Sequence, residues 1–357
     1  MLSKLLKEHL APSDNFGGLR LIAAISVIYG HSFPLTGSEA PGYLGSPIST
    51  LAVKVFFVIS GYLISESWTR DPDIIRYFLR RALRIFPGLI VLVALSVFII
   101  GPAFSVLSAG EYFTSKDTWK YFYNVFLLPT YFLPGLFAEN VYPNAVNGSL
   151  WTLPVEFAMY IATPLVLVFF RGTVSLGVFA LILSVISVCF TRLWIPGSAP
   201  VFWGTNLINA LEMAPYFFWG VFYKKCEKGY ACFSLQTSLI AIVILPLLAV
   251  DWAASEIVSL IIVPYVTLSL GNAAAPKLGF FDRFGDLSYG GYLYGFLVQQ
   301  MVASLFPLAS HWANFLMALI PSLVLGALSW HLVEKRFLKL KPSRKGAKAE
   351  KSVPAYT

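Results

Sequence analysis

Long apolar runs separated by short polar stretches dominate the chain. Crossing the hydrocarbon core of a bilayer as a helix takes about 20 mostly apolar residues, and ten stretches qualify: 17–36, 47–68, 85–107, 149–170, 173–191, 206–223, 234–251, 254–271, 286–308 and 313–332. A further apolar-aromatic stretch, 121–137 (YFYNVFLLPTYFLPGLF), contains Pro129, Pro134 and Gly135 and reads as a re-entrant or interfacial piece. The pattern predicts an all-α polytopic membrane protein of about ten transmembrane helices.

Composition agrees. Of the 357 residues, 57% are hydrophobic and 12% charged, against about 45–50% and about 25% in soluble domains. A soluble fold could not bury so much apolar surface, which excludes a secreted disulfide scaffold, a disordered chain and a soluble nucleic-acid binder. Lys and Arg set the orientation. With the N-terminus inside, 22 of the 26 fall in inner segments, three outside (Lys116, Lys120, Arg192), and Lys54 within a span. That asymmetry requires an even number of spans and places both termini in the cytoplasm. The net charge of +8 is then a topology signal and an attraction for anionic membrane lipid or an anionic cytoplasmic ligand, not for nucleic acid.

The polar, amphipathic start MLSKLLKEHLAPSDN lacks an obvious cleavage site, so the first span is expected to be retained. Cys189, Cys226 and Cys232 make neither a disulfide framework nor a CxxC spacing, and no metal is expected. No internal repeat is evident. The organisation expected is one membrane domain, 1–341, followed by a disordered basic tail, 342–357.

Ionisable groups inside spans are costly and usually face a cavity or a partner. Arg20 and His31 are roughly 16 Å apart along the axis of the first span. A cation below an imidazole on one helix suits a long ligand lying along it; the structural alternative is an interfacial histidine bonded to a backbone carbonyl. The fourth span opens Asn147-Gly148-Ser149-Leu150-Trp151-Thr152-Leu153-Pro154-Val155-Glu156. Glu156 is expected about two turns in from the outer surface, at a depth like that of His31. Pro154 frees a carbonyl, and Ser149 and Thr152 add hydroxyls, so this end can line a polar pocket. A carboxylate and an imidazole at one level make a base and its orienting partner; a helix–helix hydrogen bond from Glu156 is the competing account. Glu212 and Glu256 suggest no role.

Arg76, Arg80, Arg81 and Arg84 precede Ile85-Phe86-Pro87. If this stretch is helical, Arg76, Arg80 and Arg84 share a face and Arg81 neighbours Arg84. Guanidinium pairs suit phosphates, although basic residues flanking a span account for such clusters too. Gly61 allows close helix approach, with Ser60 able to bond between helices. His9, His311 and His331 lie near end regions and read as structural.

Together these residues resemble the acyltransferase 3 family of membrane O-acyltransferases, over about Asn15 to Lys341. The matching pieces are Arg20 with His31, FFVISGYLI (56–64), RRALRIFPG (80–88), NGSLWTLPVEF (147–157), LSYGGYLYGF (287–296) and LVEKRFLKLK (332–341). The resemblance implies transfer of an acyl group, commonly acetyl, from cytoplasmic acyl-CoA to a sugar hydroxyl of an exported glycan, at a bacterial cytoplasmic membrane. It implies His31 as the catalytic histidine, Glu156 as an essential carboxylate, and Arg20, Arg81 and Arg84 in donor binding or site architecture. Ser149, Trp151 and Thr152 are the expected substrate-pocket residues, with a glycan or lipid-linked sugar as acceptor. Direct transfer and a covalent acyl-histidine both remain open, and a transporter or flippase of a glycan or lipid-linked sugar is the rival function.

Two positions depart from the family pattern. Gly17 stands where many members have Asp, and Gly295, followed by Gln299 and Gln300, stands where many have His. No C-terminal extracytoplasmic hydrolase-like domain follows, so acceptor acylation is expected from this domain alone or with a separate partner.

Overall fold

The computed structural model describes residues 15–193, 199–226, 233–274, 277–278, 280 and 285–342. Residues 1–14 of the amphipathic start, Lys228, Cys232, Arg283 and all but the first residue of the expected tail lie outside them.

Ten helices fall over the ten apolar stretches. They are α1 (Phe16–Leu35), α2 (Ile48–Arg70), α3 (Ile74–Leu95), α4 (Thr152–Phe169), α5 (Thr173–Leu193), α6 (Leu207–Cys226), α7 (Leu235–Ile244), α8 (Trp252–Gly271), α9 (Leu287–Leu305) and α10 (His311–Ser329). Two small hairpins, β1–β2 (Gly42–Tyr43, Ser46–Pro47) and β3–β4 (Val201–Phe202, Thr205–Asn206), lead into α2 and α6. Seven helical segments among the described residues are long and apolar enough to cross a membrane. The others are α6 and α9, richer in polar and small residues, and the short α7. Large apolar side chains on α5 and α10, including Val174, Leu181, Ile182, Ile320 and Val324, point outward and exposed, as a lipid-facing surface requires.

Helix α3 starts at Ile74, well before the apolar run at 85. Asp73 caps it, accepting from the Arg76 backbone N–H at 2.9 Å. Asp71 accepts from Arg76 Nε at 3.0 Å and from Arg80, and these two guanidiniums hold its carboxyl well below the usual carboxylate range. The four arginines therefore ride on helical turns, as their spacing anticipated. At its other end α3 continues through a π turn, Ser96–Ile100. There Tyr112 donates its hydroxyl to the Val97 carbonyl at 3.1 Å, occupying a group that the wider turn leaves available.

Small residues bring the helices together. A side chain at Gly61 would run into the Phe217 carbonyl and one at Gly220 into the Val58 carbonyl, so α2 and α6 meet backbone to backbone. Gly290 meets Gly326 where α9 crosses α10. Gly295 packs on Ile28: a Cβ there would come within 2.7 Å of its side chain. A histidine at that position would thus separate α9 from α1. Instead Gln299 ties the two, donating to the Ile28 carbonyl at 2.7 Å. Fourteen of the nineteen α9 residues are buried, which is why this polar, glycine-rich helix needs no apolar exterior.

The segment between α3 and α4 is not a spanning helix. A 3₁₀ turn, Tyr121–Phe126, ends at left-handed Leu127, and an irregular path runs on to Asn147. Asn124 donates to the Tyr121 and Thr130 carbonyls and accepts from the Thr130 N–H, at 2.8–3.0 Å. Gln300 donates to the Tyr142 and Ala145 carbonyls, and Asn147 to the Leu293 carbonyl. Buried irregular backbone is satisfied by amide side chains, and the loop is thereby fixed on α9.

Glu212 and Glu256, without a role in the sequence, surround Lys54. Its fully buried ammonium lies 2.9 Å from Glu256 and 3.3 Å from Glu212, and donates to Ser46 at 2.9 Å. This network joins the first hairpin, α2, α6 and α8.

Candidate active site

A cavity of about 390 Å³ lies within the bundle among its clustered basic residues. Arg20 at the start of α1, Arg80, Arg81 and Arg84 on α3, and Lys341 beyond α10 line it, together with Ser60, Glu156, Thr152 and Tyr292. The three arginines singled out from the sequence thus share one site, on two helices.

Their partners differ in a way that bears on ligand binding. Arg84 pairs with Asp286 and lies 3.9 Å from Glu334. Arg81 makes one hydrogen bond, 2.9 Å to Ser67, and its enclosed Nε has none. Its guanidinium lies over the rings of Tyr77 and Tyr160, at 5.6 and 5.9 Å. Arg20 makes no hydrogen bond or ion pair with another described residue, and Gly17, one turn before it, borders a small side cavity with Asp286 and Trp330. The carboxylate at this position comes from Asp286, the residue before α9, rather than from α1. Lys341 is brought down to about 8, by burial first and then by Arg84, Arg81 and Arg80. Cationic donors exceed anionic acceptors here, which fits phosphate groups.

Glu156 and His31 do not form the expected pair. The Glu156 carboxylate accepts from Ser60 at 2.8 Å and from Tyr160 at 2.5 Å, so an interhelical bond does occupy it, from α4 to α2. His31 makes no hydrogen bond with another described residue; its buried Nδ1 has no partner, and its ring packs edge-on against Phe296 at 5.3 Å. A histidine anchored to a backbone carbonyl is not what the structure holds, and Glu156 makes no hydrogen bond to the imidazole. His311 stacks on Phe33 at 4.3 Å, a packing role.

The three expected pocket residues are divided by the 3₁₀ turn Gly148–Trp151 that precedes α4. Thr152 lines the basic cavity. Trp151 lines a second cavity, of about 600 Å³, between the Tyr131–Trp151 region and the second hairpin. The Ser149 hydroxyl is buried with no hydrogen-bond partner and lines neither. Tyr292 closes the roof of the basic cavity, with its hydroxyl 2.6 Å from Thr152 Oγ1 and donating to the Ser149 carbonyl at 2.9 Å. One turn further along α9, Phe296 touches His31 on one side and Tyr142, of the second cavity, on another. The 3₁₀ turn and this face of α9 are the partition between two chambers.

The family model described as an acyltransferase domain, the acyltransferase 3 family, matches residues 14–331. The chain belongs to this family. This acyltransferase is 32% identical over 339 residues to an O-acetyl transferase of Shigella phage Sf6, covering 91% of this chain and 96% of the phage protein. It is 27% identical to nodulation protein 10 of Rhizobium leguminosarum bv. viciae, over 92% of this chain and 94% of that one. Similarity to the peptidoglycan O-acetyltransferase OatA of Listeria monocytogenes, at 29% identity, covers 53% of this chain and 30% of that protein. No solved structure matches. Lys341, Asp286, Tyr160 and Tyr292 were not among the residues the sequence nominated. Tyr160 could have been found four positions after Glu156, on the same helix face.

Proposed function

We propose that this acyltransferase moves an acyl group, acetyl in the first instance, from cytoplasmic acyl-CoA to a sugar hydroxyl of a cell-surface or exported polysaccharide. The basic end of the bundle would face the cytoplasm of a bacterium, and the chain would reside in its cytoplasmic membrane. The observation that carries the reading is the cavity that joins incompletely paired guanidiniums to the level of Glu156 and Thr152. The names of the phage and Listeria relatives, both O-acetyl transferring, support acetyl as the group moved.

In this reading Arg20, Arg81 and Arg84, with Lys341, hold the donor's phosphates, and the thioester arm extends past Ser60 and Glu156 toward Thr152. His31 takes the proton from the acceptor hydroxyl as its oxygen bonds to the acyl carbon. The carbon–sulfur bond breaks, and the imidazolium returns the proton to the departing thiolate. An imidazole with no competing hydrogen bond at Nδ1 leaves a nitrogen available for that exchange, once the aromatic contact with Phe296 yields. Glu156, fixed by Ser60 and Tyr160, shapes the upper end of the donor cavity. In catalysis by purified protein with acetyl-CoA and a glycan acceptor, His31→Ala should abolish transfer while expression and thermal melting stay unchanged. Wild-type transfer by that variant would remove His31 from the base role.

A further inference from the structure

The second cavity has the chemistry of a carbohydrate subsite, and we propose that it binds an uncharged sugar residue of the acceptor. This deepens the transferase reading and rests on it for the identity of the acceptor.

Three aromatic side chains, Tyr131, Tyr142 and Trp151, line the cavity together with three carboxamides, Asn144, Asn206 and Asn209. Aromatic rings offer flat apolar faces with polar edges, which match the C–H faces of a pyranose. Carboxamides both donate and accept, as sugar hydroxyls do. The amides are unspent: Asn206 uses Oδ1 to cap α6, accepting from the Ile208 and Asn209 N–H groups, while its NH₂ makes no bond to a described residue. Neither Asn144 nor Asn209 bonds another described residue through its side chain. Asn144 is held in the left-handed region, φ 61°, and the Gln300 hydrogen bonds to Tyr142 and Ala145 brace the turn around it.

The volume, about 600 Å³, lies within the ~300–1,000 Å³ span of small-molecule sites and leaves room for a short saccharide. No lining residue carries a formal charge. A carboxylate entering such a site would give up water without gaining a cation, an unfavourable exchange. The contrast with the basic cavity is sharp, and it assigns the two chambers to chemically different ligands. Gly148 and Tyr142, both in the lining, border the Phe296 ring that packs on His31. A sugar in this chamber is one aromatic ring from the imidazole.

The test titrates purified protein in nanodiscs with a panel of neutral trisaccharides and their uronic-acid counterparts, following tryptophan emission and calorimetric heat. Binding of at least one neutral member, tenfold or more tighter than its carboxylated counterpart, is expected. Trp151→Ala and Asn209→Ala should each weaken it by tenfold or more, and Trp151→Phe by less, with acetyl-CoA affinity unchanged in all three. Thermal melting is read alongside, and Asn209→Ala, at a half-buried position, serves if Trp151→Ala does not fold. No binding of any neutral member, equal binding of the carboxylated ones, or variants that bind like wild type would overturn the proposal. Saccharide binding without any acetyl-CoA turnover would leave this site standing and overturn the transferase reading. Turnover with saccharide affinity indifferent to Trp151 and Asn209 would do the reverse.

Discussion

Replacing Arg81 by alanine should weaken binding of acetyl-CoA and spare acetyl-pantetheine, which carries the same thioester arm without the nucleotide. Arg80 and Arg84 are engaged by Asp71 and Asp286, so truncating either also breaks an ion pair. Among the described residues Arg81 hydrogen-bonds Ser67 alone and its enclosed Nε has no partner, which leaves its charge available to a ligand. The rings of Tyr77 and Tyr160 hold the guanidinium in place before a ligand arrives. A hydrogen bond to a charged group contributes about 1.5–3 kcal/mol. At tenfold per 1.4 kcal/mol, loss of one phosphate contact corresponds to roughly 10- to 140-fold weaker binding. Calorimetric titration of wild type and variant with both ligands measures the ratio directly. Equal weakening for the two ligands, or no weakening for acetyl-CoA, would refute phosphate recognition by Arg81 and return it to a flanking role.

Three further outcomes follow from the same geometry. With Lys341 brought down to about 8 by burial and the neighbouring arginines, donor affinity should fall as the pH rises through that value, and Lys341→Gln should flatten the pH profile of acetyl-CoA binding. Lys54→Met should destabilise the fold by about 3–5 kcal/mol, since it leaves Glu256 and Glu212 as uncompensated charges; a melting temperature in detergent equal to wild type would contradict this. Tyr292→Phe removes the hydroxyl that joins Thr152 to Ser149, so acceptor-independent hydrolysis of acetyl-CoA should rise several-fold while donor affinity is kept, as measured by thiol release.

The helices were legible because lipid permits near-continuous apolar runs, and the break at 121–137 because Pro129, Pro134 and Gly135 disfavour a continuous helix there. Gly61, Ser60 and the arginine spacing also read correctly, since helix-face geometry is local. The rotation of helices about their axes is not local. Glu156 and His31 face different partners, Ser60 with Tyr160 and Phe296. Asp286 and Lys341 reach the basic cavity from more than 200 residues beyond Arg84 and Arg81, with no periodic signal to announce them. Ser149, Trp151 and Thr152 read as one pocket because they are adjacent; the 3₁₀ turn directs them to three different environments.

The central claim is that an acyl group passes from the basic end of the bundle to an acceptor at the other end while the coenzyme stays behind. Sealed vesicles with the protein in one orientation test it, with labelled acetyl-CoA supplied only at the basic end and a saccharide acceptor only on the opposite side. The account requires labelled O-acetyl saccharide in the acceptor compartment, free CoA retained in the donor compartment, and neither with His31→Ala. Acetylation seen only when donor and acceptor share a compartment would contradict it.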